Sequence, residues 1–241
     1  SKRPFQPVVV EFGSLWAAPL CGDLLARAGC RVVKVESVHR PDGARRGPAS
    51  FFASLNSAKE EVIVDPTTKA GLEQIRRLVD GADVVLEASR PRALAHWGLD
   101  AAAEVGRGVV WASITGYGRT GPRSGGVAFG DDAAVSGGLV FDEPPGFVAD
   151  AVADPVTGML AAVAVVVEAT RTEEGCLEYV MAADPLVAGQ LNLFERWKSD
   201  EHLGAHQKAD HSRTFQRSLG DCGIAGVSID RYEVSGVTKI L

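Results

Sequence analysis

A chain of 241 residues, 46% hydrophobic and 23% charged, is long enough to bury one large core or two modest ones, and it reads as globular. Its formal net charge of -6 and pI near 5.4 argue against a polyanion partner, because a surface that tracks phosphates carries a basic excess; a local basic patch can still take one anionic cofactor. The four cysteines (Cys21, Cys30, Cys176, Cys222) form no C-x-x-C pair, nothing near Ser1 resembles a charged and apolar leader, and the apolar run Met159 to Val167 falls short of the ~20 residues of a membrane-spanning helix. The expectation is a cytoplasmic protein with reduced thiols and neither a nucleic-acid nor a membrane partner.

Pro7 to Phe12 is a β-rich run that ends at Gly13-Ser14. Trp16, Leu20, Leu24 and Leu25 give Leu15 to Ala28 helical spacing, Gly29 stops it, and Arg31 to Glu36 reads as a second strand. Strand, helix and strand form a βαβ unit with parallel strands, whose ligands bind beyond the carboxyl ends: here the loop Gly13 to Pro19 and the loop after Glu36. Gly13-Ser-Leu-Trp-Ala-Ala lacks the dinucleotide glycine fingerprint, so NAD or FAD is not expected, although Glu36 has the chemistry of a ribose-binding acid. Ser37 to Ser57 is loop-like and basic; its arginines suit phosphates, or a plainly solvated loop.

Glu61 to Asp65 is the next strand, Pro66 to Leu78 an amphipathic helix, Ala82 to Glu87 a strand, Arg90 to Trp97 a short helix or turn, and Gly108 to Thr115 a further strand. This alternation predicts an α/β fold: a Rossmann-like, mainly parallel sheet with flanking helices. Gly116 to Gly126, dense in glycine, is either a closing lid or a long surface loop. Asp131 and Asp132 are better explained as helix-heading acids than as an acid/base pair. From Val148 an extended segment runs to Asp154, and an apolar helix follows. Pro155 suits the first helical position and Asp154 the cap. The positive helix end favours the ionised carboxylate, which suits a cap or a nucleophile.

Glu11 to Gly29, Val32-Val-Lys-Val-Glu36, Asn56-Ser-Ala-Lys59, Ala82 to Pro91, Ser113 to Pro122 and Ala153-Asp-Pro-Val-Thr-Gly158 follow one another in an order and spacing that resemble the family III CoA-transferases. That group includes formyl-CoA transferase, carnitine CoA-transferase and α-methylacyl-CoA racemase. The resemblance implies that Asp154 is a nucleophile that attacks an acyl-CoA thioester and forms an aspartyl intermediate. It also implies that Ser14, Leu15, Trp16, Ala17 and the segment around Arg40 hold the nucleotide of coenzyme A, that Lys59 and Arg90 contact the cofactor, and that Gly116, Tyr117, Gly118 and Gly121 form a mobile loop over the acyl group. The partners implied are an acyl-CoA, a carboxylic acid and a second copy of the chain in a homodimer, with no metal. Racemase relatives carry a histidine near Gly130 and Asp131; here none lies between His96 and His202, so racemisation is the weaker reading.

After Val167 the pattern changes. Glu-Glu-Gly-Cys-Leu-Glu-Tyr179, Phe194-Glu-Arg-Trp197, Leu203-x-x-His206, His211-x-x-x-Phe215 and Arg231-Tyr-Glu-Val234 resemble small domains of the antibiotic-biosynthesis-monooxygenase type, a ferredoxin-like α+β barrel. The expected division is therefore 1–167, a truncated CoA-transferase-like Rossmann domain, and 168–241, a partial barrel. Gly175 to Met181 and Gln190 to Trp197 read as hairpin strands, Asp200 to Leu219 as a helix and Ser228 to Val234 as a last strand. His202 and His206 lie one turn apart, but no third ligand fits, and no metal is expected. Trp197 suits an aromatic pocket or, more simply, packing. Besides transfer of CoA, two other functions fit: a catalytically silent CoA-binding or dimerising protein, and a cofactor-independent monooxygenase in the tail.

Overall fold

The computed structural model describes residues 6–89, 91–142, 145–184, 187, 190–209, 212–213, 226–234, 236 and 238. In chain order the first half runs β1 (Val8–Phe12), α1 (Ala17–Arg27), β2 (Arg31–Ser37), α2 (Ala49–Asn56), β3 (Glu60–Val64), α3 (Lys69–Asp80), β4 (Val84–Glu87), α4 (Pro91–His96), α5 (Ala101–Gly106) and β5 (Val110–Ser113). The five strands form one parallel sheet in the order β3-β2-β1-β4-β5, with Val10 of β1 opposite Val33 and Val85. The apolar runs of β1, β2 and β4 are what strands buried on both faces require. Successive residues point to opposite faces. Val10, Val33, Val35 and Val85 therefore pack with Ile75 and Val79 of α3, while Val9, Val32, Val84 and Leu86 pack with Cys21 and Leu25 of α1.

The second half runs α6 (Gly130–Ser136), a short hairpin of β6 (Val140–Asp142) and β7 (Pro145–Phe147), α7 (Ala153–Arg171), an antiparallel hairpin of β8 (Cys176–Ala183) and β9 (Leu191–Trp197), and α8 (Asp200–Lys208). α7 brings Ala162 and Val165 into the core beside α1, and its C-terminal end reaches the hairpin, where Arg171 Nε donates to the carbonyl of Tyr179 at 2.9 Å. It runs unbroken through residue 167. With 19 residues and a mean hydropathy of 1.4, α7 is long and apolar enough to cross a membrane, because it extends the Met159–Val167 run at both ends. Here one side of it lies on α1, and Val156, Met159, Leu160 and Val163 are exposed.

Several expectations are corrected. α1 begins at Ala17 rather than Leu15, because Leu15 takes the left-handed conformation (φ 70°); Gly29 (φ 95°) follows its end as expected. The stretch 37–57 is not all loop: Gly43–Arg46 forms a 3-10 turn and α2 follows Pro48, with Phe51, Phe52 and Leu55 at helical spacing as the overlooked signal. Asp154 does not cap α7. Val152 does so with helical backbone (φ -55°, ψ -28°), because Ala151 (φ 45°) turns the chain first and its carbonyl accepts the N–H of Asp154 at 2.8 Å; Asp154 lies in the first turn and Pro155 after it. In the tail, the described residues after α7 hold the expected hairpin and one helix. Ser228–Val234 is not a strand: Ile229 and Tyr232 are 86% and 81% exposed, with no strand beside them among the described residues to complete a ladder. α8 stops at Lys208, where Ala209 turns extended (ψ 142°), and residues 214–219 of the longer helix expected there lie outside the described residues.

Candidate active site

The strand order reverses between β1 and β4, so the crevice beyond their carboxyl ends is where an open α/β sheet receives its ligand. The loop leaving β1 enters that crevice as a tight turn: a Cβ on Gly13 would stand 2.5 Å from Ala18 Cβ. Leu15 follows, its N–H bonded to Asp42 Oδ1 at 2.9 Å, and Trp16 meets Phe51 of α2 edge-on at 5.4 Å. Trp16 is the N-cap of α1 but provides no capping side-chain bond, and no acid stands in the first turn. The first turn of α1 therefore carries the N–H groups of Ala17 and Ala18, Pro19 having none, at a positive dipole end without a side-chain cap, which suits an anion.

Three glycines bring Asp154 to this place. A Cβ on Gly158 would lie 2.6 Å from the carbonyl oxygen of Ala17, so the first turns of α7 rest backbone-to-backbone on the start of α1. A Cβ on Gly130 would lie 2.4 Å from the Ala151 carbonyl and 2.8 Å from Asp154 Cγ, so the start of α6 closes over the carboxyl. A Cβ on Gly116 would lie 2.5 Å from Ala128 Cβ, which ties the beginning of the glycine-rich loop to the residues before α6. Gly158→Ala is therefore expected to cost about 1–3 kcal/mol, since backbone must move. Thermal unfolding of the variant measures it, and an unchanged midpoint would show the contact to be slack.

Asp154 is half-buried, and its carboxyl is pushed above the ordinary carboxylate range. Burial is the main cause, the charges of Asp131 and Asp150 add to it, and the N–H of Gly130 opposes it. The helix-dipole expectation of a stabilised anion is thus outweighed by burial and two neighbouring acids. Asp132 accepts the N–H of Phe129 at 3.0 Å, the helix-heading role expected of it.

At the end of β4, Glu87 is fully buried and accepts hydrogen bonds from Trp111 Nε1 (2.9 Å), Ser113 Oγ (3.0 Å) and the Arg119 guanidinium. Arg119 belongs to the glycine-rich loop, so this loop is anchored at its first third. On either side of the anchor Gly118 and Gly121 take left-handed conformations (φ 79° and 89°), and Arg123 stacks on the Tyr117 ring at 3.9 Å.

Of the residues nominated from sequence, Ser14, Leu15, Trp16, Ala17, Gly116 and Asp154 gather around this crevice, with Tyr117, Gly118 and Gly121 following in the loop. Arg40 is exposed in the loop after β2, two residues before Asp42, and makes no ion pair among the described residues. Lys59 presents no charge to the crevice: its side chain is 0% exposed, and its ammonium is held by Glu11 (2.7 Å), the Pro19 carbonyl (2.8 Å) and Asn56 Oδ1 (3.0 Å). Arg90 lies outside the described residues. Burial and the charge of Glu11 push the Cys21 thiol up to about 12, which leaves it unreactive.

The two tail histidines have separate partners. His206 is buried, bonded to Glu173 (3.0 Å) and stacked on Trp197 at 4.8 Å, while His202 Nδ1 pairs with Ser199 Oγ at 2.8 Å. Among the described residues no cluster of three metal-ligating side chains occurs. Trp197 thus has the packing role.

Sequence reasoning passed over Asp42, Glu87, Arg119, Gly130 and Gly158. Two of these carried a signal: Asp42-Gly43 is a turn dipeptide, and a glycine inside an apolar helix, as at 158, calls for a packing reason.

Fold and crevice together define an α/β protein whose ligand edge pairs an uncapped helix with a half-buried carboxyl. The chain belongs to the CoA-transferase family III, which it matches over residues 6–218. The match continues past Val167, across the hairpin and α8 that the sequence reading gave to a second family. Succinyl-CoA–D-citramalate CoA-transferase of Chloroflexus aurantiacus is 31% identical over 185 residues, covering 69% of this chain and 46% of that protein. Formyl-CoA:oxalate CoA-transferase of Escherichia coli O6:H1 is 29% identical over 171 residues, 65% of this chain and 41% of that one. A crystal structure of a CAIB/BAIF family protein from Brucella suis superposes with a TM-score of 0.62 at 31% identity, over 67% of this chain and 47% of the other. The chain thus spans about half the length of the curated relatives it matches.

Proposed function

We propose that the chain transfers coenzyme A between an acyl-CoA and a carboxylic acid, with Asp154 as nucleophile. A carboxylate oxygen of Asp154 attacks the thioester carbonyl, the C–S bond breaks, and a mixed anhydride and CoA thiolate result. The thiolate then attacks the aspartyl carbonyl and releases the donor acid, leaving an aspartyl-CoA thioester. The acceptor carboxylate attacks that thioester and expels the thiolate, which takes the acceptor acyl group and frees Asp154. No outside proton or electron enters the cycle. The Ala17 and Ala18 amides at the start of α1, with Arg40, provide for the CoA phosphates; Lys59 supports the loop after β1 through Glu11. The observation that carries this reading is the position of Asp154, closed over by Gly130 and set by Gly158 against the uncapped start of α1. Burial there also strips water from the nucleophile and from the anhydride it forms.

The test is to incubate the protein with succinyl-CoA, quench with hydroxylamine and digest. A hydroxamate on Asp154, seen by peptide mass spectrometry, is the expected result. An unmodified Asp154, with turnover unchanged in Asp154→Ala, would sink the proposal.

A second reading draws on the surroundings of Asp154, where burial and the charges of Asp131 and Asp150 disfavour the anion, the form that attacks. In it the chain binds CoA without turning it over. Calorimetry with CoA beside a turnover assay separates the two, because heat of binding without turnover favours the silent protein.

A further inference from the structure

One buried carboxylate ties the loop after β1 to the loop after β2. Asp42 Oδ1 accepts the N–H of Leu15 and that of Ala44, each at 2.9 Å. Asp42 Oδ2 lies 2.9 Å from Lys34 Nζ, both side chains being 0% exposed. Lys34 is held in turn by Glu11 (3.2 Å) and the Gly13 carbonyl (2.8 Å), and Glu11 by Lys59 (2.7 Å). Four charged side chains without solvent contact therefore converge on the short passage from β1 into α1. Apolar residues of similar volume stabilise a core as well as such a cluster or better, so stability alone is a weak reason for it. What the cluster provides is direction. Leu15 sits at φ 70°, a conformation that leucine holds only under constraint. The constraint comes from both sides: Asp42 grips its N–H, and Gly43 lies so close that a Cβ there would stand 2.8 Å from Leu15 Cδ2.

We infer that Asp42 is a positioning residue for the CoA site: by holding Leu15 in the left-handed conformation, it aims the first amides of α1 at the anionic phosphates of the ligand. Asp42 does not touch the ligand itself. Burial alone would push its carboxyl up, but Lys34 and the N–H groups of Leu15 and Ala44 outweigh this and keep it below the ordinary range, so it stays charged and keeps its grip.

This inference rests on the reading of Ser14–Ala17 as the nucleotide loop, and the experiment separates the two. Isothermal calorimetry with coenzyme A is run on the full chain, on Asp42→Asn, on Asp42→Glu and on Glu104→Gln. Asn strands Lys34; Glu keeps the charge for Lys34 but moves the carboxylate by one methylene, so it serves if the Asn variant fails to fold. Glu104 is an equally buried acid, held by Arg76 and Arg107 at the opposite, amino end of β5. Its variant reports general destabilisation. Expected are a rise in Kd of about tenfold or more for the Asp42 variants and an unchanged Kd for Glu104→Gln, equivalent to a loss of one decade in affinity. Wild-type affinity in both Asp42 variants, or equal weakening in Glu104→Gln, overturns the inference and leaves the CoA site standing. No heat with the unaltered chain overturns the nucleotide-loop reading, and the inference with it.

Discussion

Asp154→Asn is expected to lower kcat for CoA transfer by about 10^4-fold or more, the scale seen when a covalent nucleophile is removed, while the fold becomes more stable at neutral pH. The two effects share a cause. The Asp154 carboxyl titrates above its ordinary value of 3.8 because burial, Asp131 and Asp150 disfavour the anion. The folded chain therefore holds this proton more tightly than the unfolded chain does, and the group's contribution to stability falls as pH rises through the interval between the two values. Asparagine carries no charge and escapes that loss. Its advantage in thermal midpoint should be present at pH 7 and absent at pH 3, where both states of the wild type are protonated. Activity runs the other way: turnover should decline as pH falls through the raised value, because the proposed mechanism attacks with the carboxylate. A midpoint difference that is the same at both pH values would refute this account.

Glu11→Gln is expected to reduce unfolding free energy by about 3–5 kcal/mol, the cost of leaving buried charge without its counterion. Glu11 is fully buried and accepts from both Lys34 and Lys59. Without its charge the two ammonium groups face each other inside the sheet edge with one fewer anion. At roughly 2–4 °C per kcal/mol for a chain of this size, the thermal midpoint should fall by about 10 °C. Urea titration read by circular dichroism measures the change, and a loss below about 1 kcal/mol would mean that water or a deprotonated lysine relieves the cluster. Burial already holds the Lys59 ammonium below its ordinary value, opposed by Glu11, so the variant should also lower the pH at which Lys59 gives up its proton.

The parallel sheet was legible because its strands are written as apolar runs separated by helical spacing; β1, β4 and β5 fall within the expected runs, and β2 passes its own by one residue, Ser37. Motif order carried Asp154 and the loop after β1 to one region of the chain. What periodicity left out was the means of contact. Gly158 touches Ala17 and Gly130 touches Ala151 across long stretches of sequence, and a glycine leaves no side-chain pattern to read. The Asp154 cap was misplaced because Ala151, a residue without a turn signature, takes the positive φ that begins the helix early. The buried charges were hidden for a related reason. Lys34 and Glu36 stand in an otherwise apolar strand, where sequence alone cannot tell a side chain that snorkels to solvent from one that is paired inside.

The three glycine contacts also bear on how this site can vary. Because Ala17, Ala151 and Ala128 are met at or near the backbone, the separation of Asp154 and the start of α1 is fixed by the thickness of the main chain rather than by the volume of any side chain. Neighbouring positions such as Tyr117, Val127 and Phe129 can then be exchanged for larger or smaller residues without changing that separation. On the proposed function, substrate range and chemical competence are then mechanically decoupled: the surroundings of Asp154 can be recut while its distance from α1 stays the same.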